Sequence, residues 1–264
     1  MGNKTSHRPK AIIILLQIIV VMAVLLPLKI LAVEFDITVD PDVAANPDFN
    51  AQKIIQYAHD KVAPDFEYTK NHKITVIVYS RIKFKEALAN SPDWVEAAYD
   101  GTLRMAIATN QKDFRMITTQ VVHEYTHLVV NDLSNNNCPR WFNEGLAKYE
   151  ESKHGMPPRL FLLGIAYNSD VLIPWDKIDA KIMSHNSSES LLAYQQSFSF
   201  VSYLVDTYGM HKIVELLKAL GTKQDFNAAI LKVYGVPIEA IQRNWRTWLA
   251  GFMVNWAEAP LIVE

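Results

Sequence analysis

The sequence predicts an α+β chain in which a small mixed β-sheet half is followed by an α-helical half. Three observations point there. The segment His72–Ser80, HKITVIVYS, alternates and is rich in β-branched residues, as a half-buried strand is. Asp100-Gly101 stands between AAY and TLRMAIAT, a hairpin signal with strand chemistry on its C-terminal side. From residue 113 onward the readable periodicity is helical.

The elements follow in order. Residues 33–49 hold a short alternating stretch, VEFDITVD, then a turn rich in Pro, Asp and Asn. Residues 50–63 read as a helix with Ile54, Ile55, Ala58 and Val62 on one face. Residues 82–90 read as another, closed by Ser91-Pro92. Thr102–Thr109 is the strand after the hairpin, and residues 113–132 form a long amphipathic helix. Asn135–Asn137 break that helix, and Pro139 suits the first turn of the next one, over 139–153. Residues 155–175, with Pro157, Pro158, Gly164 and Pro174, read as loop. The remainder reads as helices capped at Gly209, Gly221 and Gly235. These elements predict one domain over residues 34–264, an α/β half to 132 and a helical half from 133.

Composition narrows the function classes. The 264 residues are 50% hydrophobic, enough for one sizeable core. A net charge of −2, with no basic excess, gives no reason to expect a nucleic-acid partner. The single cysteine, Cys138, excludes an internal disulfide framework and a Cys-rich zinc finger.

Residues 1–33 read as a segment apart. Lys4, Arg8 and Lys10 precede an apolar run at 11–28 that only Gln17 interrupts. As a helix it would span about 27 Å, close to the bilayer core of roughly 30 Å. The basic flank favours the cytoplasmic side, so the rest of the chain is expected outside the cytoplasm. The expected role is a membrane anchor; a signal peptide cut after Ala32 is the other reading, which would make the protein secreted. Residues 1–32 hold four bases (Lys29 is the fourth) and no acid, so removing their +4 from −2 leaves −6 on the remainder.

His123-Glu124-Tyr125-Thr126-His127 is an H-E-x-x-H pattern within the long helix. Residues four apart share a helix face about 5–6 Å apart. Two imidazoles there can reach one Zn²⁺ at about 2.0–2.1 Å. Glu124 lies where it can take a proton from an activated water. Val121, Val122, Val129 and Val130 mark a core helix, where an unpaired Glu would be costly. A catalytic zinc needs a third protein ligand. The next helix offers Glu144 within WFNEGLA, beyond an Asn-rich turn that makes the two helices antiparallel neighbours. Glu150 and Glu151 are its rivals, expected on the solvated face, and Cys138 is a more distant one. His59, His72, His154 and His211 are expected at exposed positions, and Trp245 and Trp248 are expected to pack.

Together, H-E-x-x-H and W-x-N-E-G-x-A resemble the gluzincins, the peptidase MA-like zinc hydrolases. They are closest in pattern to the catalytic core of the large zinc aminopeptidases, which read Asn-Glu-Gly-Phe-Ala where this chain has Asn143-Glu144-Gly145-Leu146-Ala147. The resemblance covers roughly residues 70–250. The 16 residues between His127 and Glu144 fit the compact peptidase MA-like domains better than the aminopeptidases. It implies a zincin-like fold with a site for one Zn²⁺ between the two halves. It implies ligands His123, His127 and Glu144, and Glu124 as general base. It also suggests Tyr194, in LAYQQS, as the donor to the oxyanion; Tyr149, His154 and His185 are further candidates for that role. The acidic G-x-M-E-N strand that holds a substrate amino terminus in aminopeptidases has no counterpart in TLRMAIAT. Aminopeptidase activity is therefore not implied, although that strand is expected to pair with an extended substrate. The expectation is a zinc-dependent peptidase acting on peptides or proteins outside the cytoplasm. A membrane-tethered zinc scaffold without activity and a zinc hydrolase of a non-peptide bond are the competing readings.

Overall fold

The computed structural model describes residues 33–69, 73–89, 95, 97–110, 112–155 and 158–258. The apolar run at 11–28 and His72 lie outside them. Among the described residues no helix is long and apolar enough to cross a membrane.

Among the described residues four strands form one mixed sheet. β1 (Phe35–Val39), β2 (Ile74–Ser80) and β4 (Leu103–Ile107) run parallel, and β3 (Ala97–Tyr99) runs antiparallel to β4. The order is β1-β2-β4-β3. β2 alternates as its sequence requires, with Ile74, Val76 and Val78 buried. Gly101 turns the β3–β4 hairpin at φ +98°, a conformation that side chains rarely adopt. Asp40, after β1, ties the sheet's end together: its carboxylate accepts the Ser80 N–H at 3.0 Å and the Lys83 ammonium at 2.8 Å.

Among the described residues, three helices of this half precede the long one: α1 (Pro41–Ala44), α2 (Ala51–Asp65) and α3 (Arg81–Ala87). The face of α2 is the one the sequence marks, with Ile54, Ile55, Ala58 and Val62 all buried. Asn50 caps it by accepting the Lys53 N–H at 2.8 Å. α4 (Arg115–Ser134) packs on α2 and against β3 and β4. It stops at Asn135, whose left-handed φ of 52° an asparagine tolerates. α5 (Arg140–Lys153) then returns along α4.

The helical half continues with α6 (Phe161–Asn168), α7 (Ile178–Ile182), α8 (Ser187–Tyr208), α9 (Met210–Gly221), α10 (Phe226–Tyr234) and α11 (Ile238–Glu258). Trp141, Trp175, Phe200 and Trp245 form a chain of ring contacts that binds α5, α8 and α11. Trp248 packs on Tyr203. The fold is α+β and zincin-like, with a small mixed sheet and a helical remainder.

Four expectations need correction. Residues 155–175 are not all loop, because α6 lies within them. Leu163 and Ala166 are buried there, and the Gln195 side chain accepts the Leu163 N–H at 2.8 Å, so tertiary contacts hold a helix that Gly164 and the flanking prolines disguise. Gly221 is not a left-handed cap: it ends α9, and a Cβ on it would lie 2.5 Å from the Leu133 carbonyl oxygen, so close approach to α4 is what requires glycine. His59 is half-buried rather than exposed, its Nδ1 2.8 Å from the Tyr125 hydroxyl. Finally, β4 is flanked by both β2 and β3. β3 covers it over Leu103–Met105, so a substrate strand cannot add along those three residues, and that part of the expected Thr102–Thr109 pairing is excluded.

Candidate metal centre

Helix α4 presents a partly exposed stripe between its buried faces: Gln120, His123, Glu124, His127 and Asn131. The stripe recurs every three or four residues, so these side chains line one furrow. On the other face Tyr125 is fully buried and anchors α4 to α2 through His59. The H-E-Y-T-H pattern thus divides its labour: the outer positions face the furrow and the tyrosine fastens the helix.

α5 supplies the opposite wall. Glu144 Oε2 stands 3.4 Å from His123 Nε2 and 3.5 Å from His127 Nε2. The two Nε2 atoms are 3.1 Å apart. A tetrahedral ion with bonds of about 2.0–2.1 Å needs donor atoms about 3.3–3.4 Å from one another. The triangle therefore has the size such an ion demands. Its chemistry fits as well, because Glu144 Oε2 is buried without a hydrogen-bond partner. The donor atoms of His123, Glu124 and His127 also lie within 4.8 Å of one another. Glu124 is thus beside the triangle, while Glu144, closer to both imidazole nitrogens, completes it. These residues can hold one metal ion.

The far side of each imidazole is fixed. His123 Nδ1 is 2.9 Å from Glu151 Oε2, which also accepts the Lys148 ammonium at 2.7 Å. His127 Nδ1 is 2.8 Å from Asn143 Oδ1, and the Asn143 amide donates to Asn131 Oδ1 at 3.1 Å. Such partners set the ring orientation and the tautomer that leaves Nε2 free for a metal. The contacts His127–Asn143 and His123–Glu151 run in opposite chain directions, so α4 and α5 are antiparallel, as the short turn predicts.

Glu150 and Glu151 are not on a solvated face: both are buried. α5 is covered by α4 on one side and α8 on the other, so its more exposed C-terminal positions are Ser152 and Lys153 rather than Glu150 and Glu151. Glu151 is answered by His123 and Lys148, and Glu150 by Lys153. Glu151 is the residue of this candidate site that sequence reasoning misplaced. Its signal was available: it lies seven residues after Glu144, two helical turns along the same face. Cys138 is away from the triangle, in the turn between α4 and α5; burial and nearby Asp179 push its thiol up.

Charges in the furrow are strongly coupled. Burial lowers the His123 imidazole, but Glu144 and Glu151 together outweigh it and push it up to about 9. The same contest raises His127, with Glu144 as the main opposing cause. Burial would raise Glu144, yet His127 and His123 hold it well below the usual carboxylate range. In the metal-free site the two imidazoles and the Glu144 carboxylate thus favour one another's charged forms.

α8 brings Tyr194 to the same place. Burial, then the carboxylates of Glu144 and Glu124, raise its phenol well above the ordinary value. The hydroxyl therefore stays protonated and can donate. Gly145 makes this approach possible. A Cβ there would lie 2.7 Å from the Ser197 carbonyl oxygen, so α8 could not pack so closely on α5. Gln195 and Gln196 then fasten α8 to the segment before it, through Leu163 and Ile173. Tyr149 and His154 sit elsewhere, at the C-terminal end of α5, and His185 is exposed.

The chain has no match among curated proteins. The peptidase MA superfamily model matches residues 52–251, which spans strands β2 to β4, the triangle and Tyr194. The chain belongs to the peptidase MA superfamily, and its domain is of the metallopeptidase type, with peptides or proteins as the substrates this implies.

Proposed function

We propose that the protein is a zinc-dependent peptidase that cleaves peptide bonds outside the cytoplasm, with His123, His127 and Glu144 as ligands of one Zn²⁺. The observation that carries this reading is the donor triangle with edges of 3.1, 3.4 and 3.5 Å beside Glu124. Zinc, when bound, supplies Lewis acidity for activating water and polarising the scissile carbonyl. Glu124 takes the proton of the attacking water and delivers it to the leaving amine. Tyr194 donates a hydrogen bond to the carbonyl oxygen as charge develops on it. Glu151 and Asn143 hold the imidazoles still while this happens. The apolar run at 11–28 anchors the chain in a membrane, with the domain on the far side from the basic flank.

Metal analysis of the purified chain and of His123→Ala, followed by peptide hydrolysis, tests the reading. The expected result is one zinc per chain, lost in His123→Ala. Glu124→Gln keeps its zinc and loses hydrolysis by about 10²–10⁴-fold. Normal cleavage by Glu124→Gln would remove the base assignment, and unchanged zinc in His123→Ala would remove the site.

A further inference from the structure

The helix that supplies Glu144 also carries a cation with no ion pair among the described residues. The partly exposed stripe of α5 runs Arg140, Glu144, Lys148. Lys148 is bonded to Glu151 at 2.7 Å. Arg140, the first residue of α5, is exposed and has no ion pair among the described residues. Asp179 approaches this helix end, but its carboxylate accepts the Trp141 backbone N–H at 2.7 Å.

Arg140 is also badly placed for the helix. The N-terminus of a helix carries about half a positive charge, so a cation there is repelled rather than stabilised. A local conflict of this kind is expected where a residue serves a site rather than the fold. Its position agrees. Arg140 precedes Glu144 by one turn on the same face. Its field also reaches Tyr194, where it opposes the effect of Glu144 and Glu124. Arg140 thus stands at the N-terminal end of α5, one turn before Glu144 and within electrostatic range of Tyr194.

We propose that Arg140 binds a carboxylate of the substrate, so that the site prefers peptides with an acidic group close to the scissile bond. One helical turn rises about 5.4 Å, and an extended peptide advances about 3.3 Å per residue. A guanidinium one turn from the ligand Glu144 therefore meets the first or second residue beyond the scissile bond. A planar guanidinium matches a carboxylate with two parallel hydrogen bonds. The carboxylate is either an Asp or Glu side chain or the peptide's own C-terminus. Residues 33–264 carry a net −6, so an acidic substrate gains little from the domain's overall field and depends on a specific cation.

The inference rests on the peptidase reading, and its test separates the two. One peptide is prepared as an amidated Glu scan, as the matching amidated Gln scan, and as an all-Gln form with a free C-terminus. Hydrolysis is measured with the full-length wild type, Arg140→Ala and Arg140→Lys. Binding is measured by tryptophan fluorescence with Glu124→Gln and Glu124→Gln/Arg140→Ala. The wild type is expected to prefer an acidic peptide over its neutral counterpart by about tenfold in kcat/KM, carried by KM. The ratio falls to about one in Arg140→Ala, recovers in part in Arg140→Lys, and shrinks in 0.5 M salt. A Glu preference identifies a side chain, and a free-terminus preference identifies the C-terminal carboxylate. Equal rates on all peptides, or a preference that survives Arg140→Ala, overturn the assignment of Arg140. If the wild type cuts nothing while Glu124→Gln still binds acidic peptides more tightly than the double variant, the peptidase reading fails and Arg140 stands.

Discussion

Glu151→Gln tests whether the far side of the zinc site is built for the metal. Glu151 Oε2 meets His123 Nδ1 at 2.9 Å and the Lys148 ammonium at 2.7 Å, with only 5% of its side chain exposed. An amide in its place keeps an acceptor but removes the charge that makes His123 a stronger donor to a metal. It also strands Lys148, which is 31% exposed and can turn to water, so the fold itself loses little. Loss of such a partner weakens metal binding by about 10–100-fold, or about 1.4–2.7 kcal/mol at 1.4 kcal/mol per decade. The assay is a zinc titration against a chromophoric chelator of matched affinity, with thermal melts to confirm folding. Glu150→Gln is the control. Glu150 is equally buried and one residue away, but it faces Lys153 and Asp65 rather than His123. A zinc affinity within threefold of wild type in Glu151→Gln, or equal losses in both variants, would refute the reasoning.

Two further outcomes follow from the same geometry. Gly145→Ala forces a methyl to within 2.7 Å of the Ser197 carbonyl. It should destabilise the fold by about 1–3 kcal/mol, as overpacking does, and lower kcat more than zinc affinity, because the displaced helix carries Tyr194; urea unfolding and steady-state kinetics read the two effects. The metal-free chain should be stabilised by its charged His123 below pH 6.5, the ordinary value, and lose that stabilisation as pH rises through about 9. Zinc affinity should run the other way, rising with pH up to about 9, because binding expels the imidazole proton. Urea melts in chelator and zinc titrations at pH 6, 7.5 and 9 check both slopes, and parallel slopes would contradict the linkage.

The site and the fold were legible to different depths. His123, Glu124 and His127 could be read directly, because one helix carries them and helical spacing alone places them on one face. The face of α2, the strand β2 and the β3–β4 hairpin were legible for the same reason: their patterns are local. Helix α6 was not, since its sequence carries the breakers of a loop and its stability comes from Gln195, thirty-odd residues downstream. The pairing of β4 on both edges was equally hidden, because strand order is a property of the sheet.

The amino-acid sequence by itself determined which residues can act on a metal: periodicity, cap chemistry and the H-E-x-x-H and N-E-G patterns depend on neighbours along the chain. Tertiary structure alone decided how they meet. Glu144 becomes a third donor because α5 returns antiparallel along α4. Glu151 changes from a supposed surface acid into the partner of His123 because α4 packs along the face of the helix that carries it. Tyr194 comes under the influence of Glu144 because Gly145 lets two backbones close to a distance that any side chain would forbid. Each depends on helices brought together from separate parts of the chain, where packing, not local propensity, sets the distance.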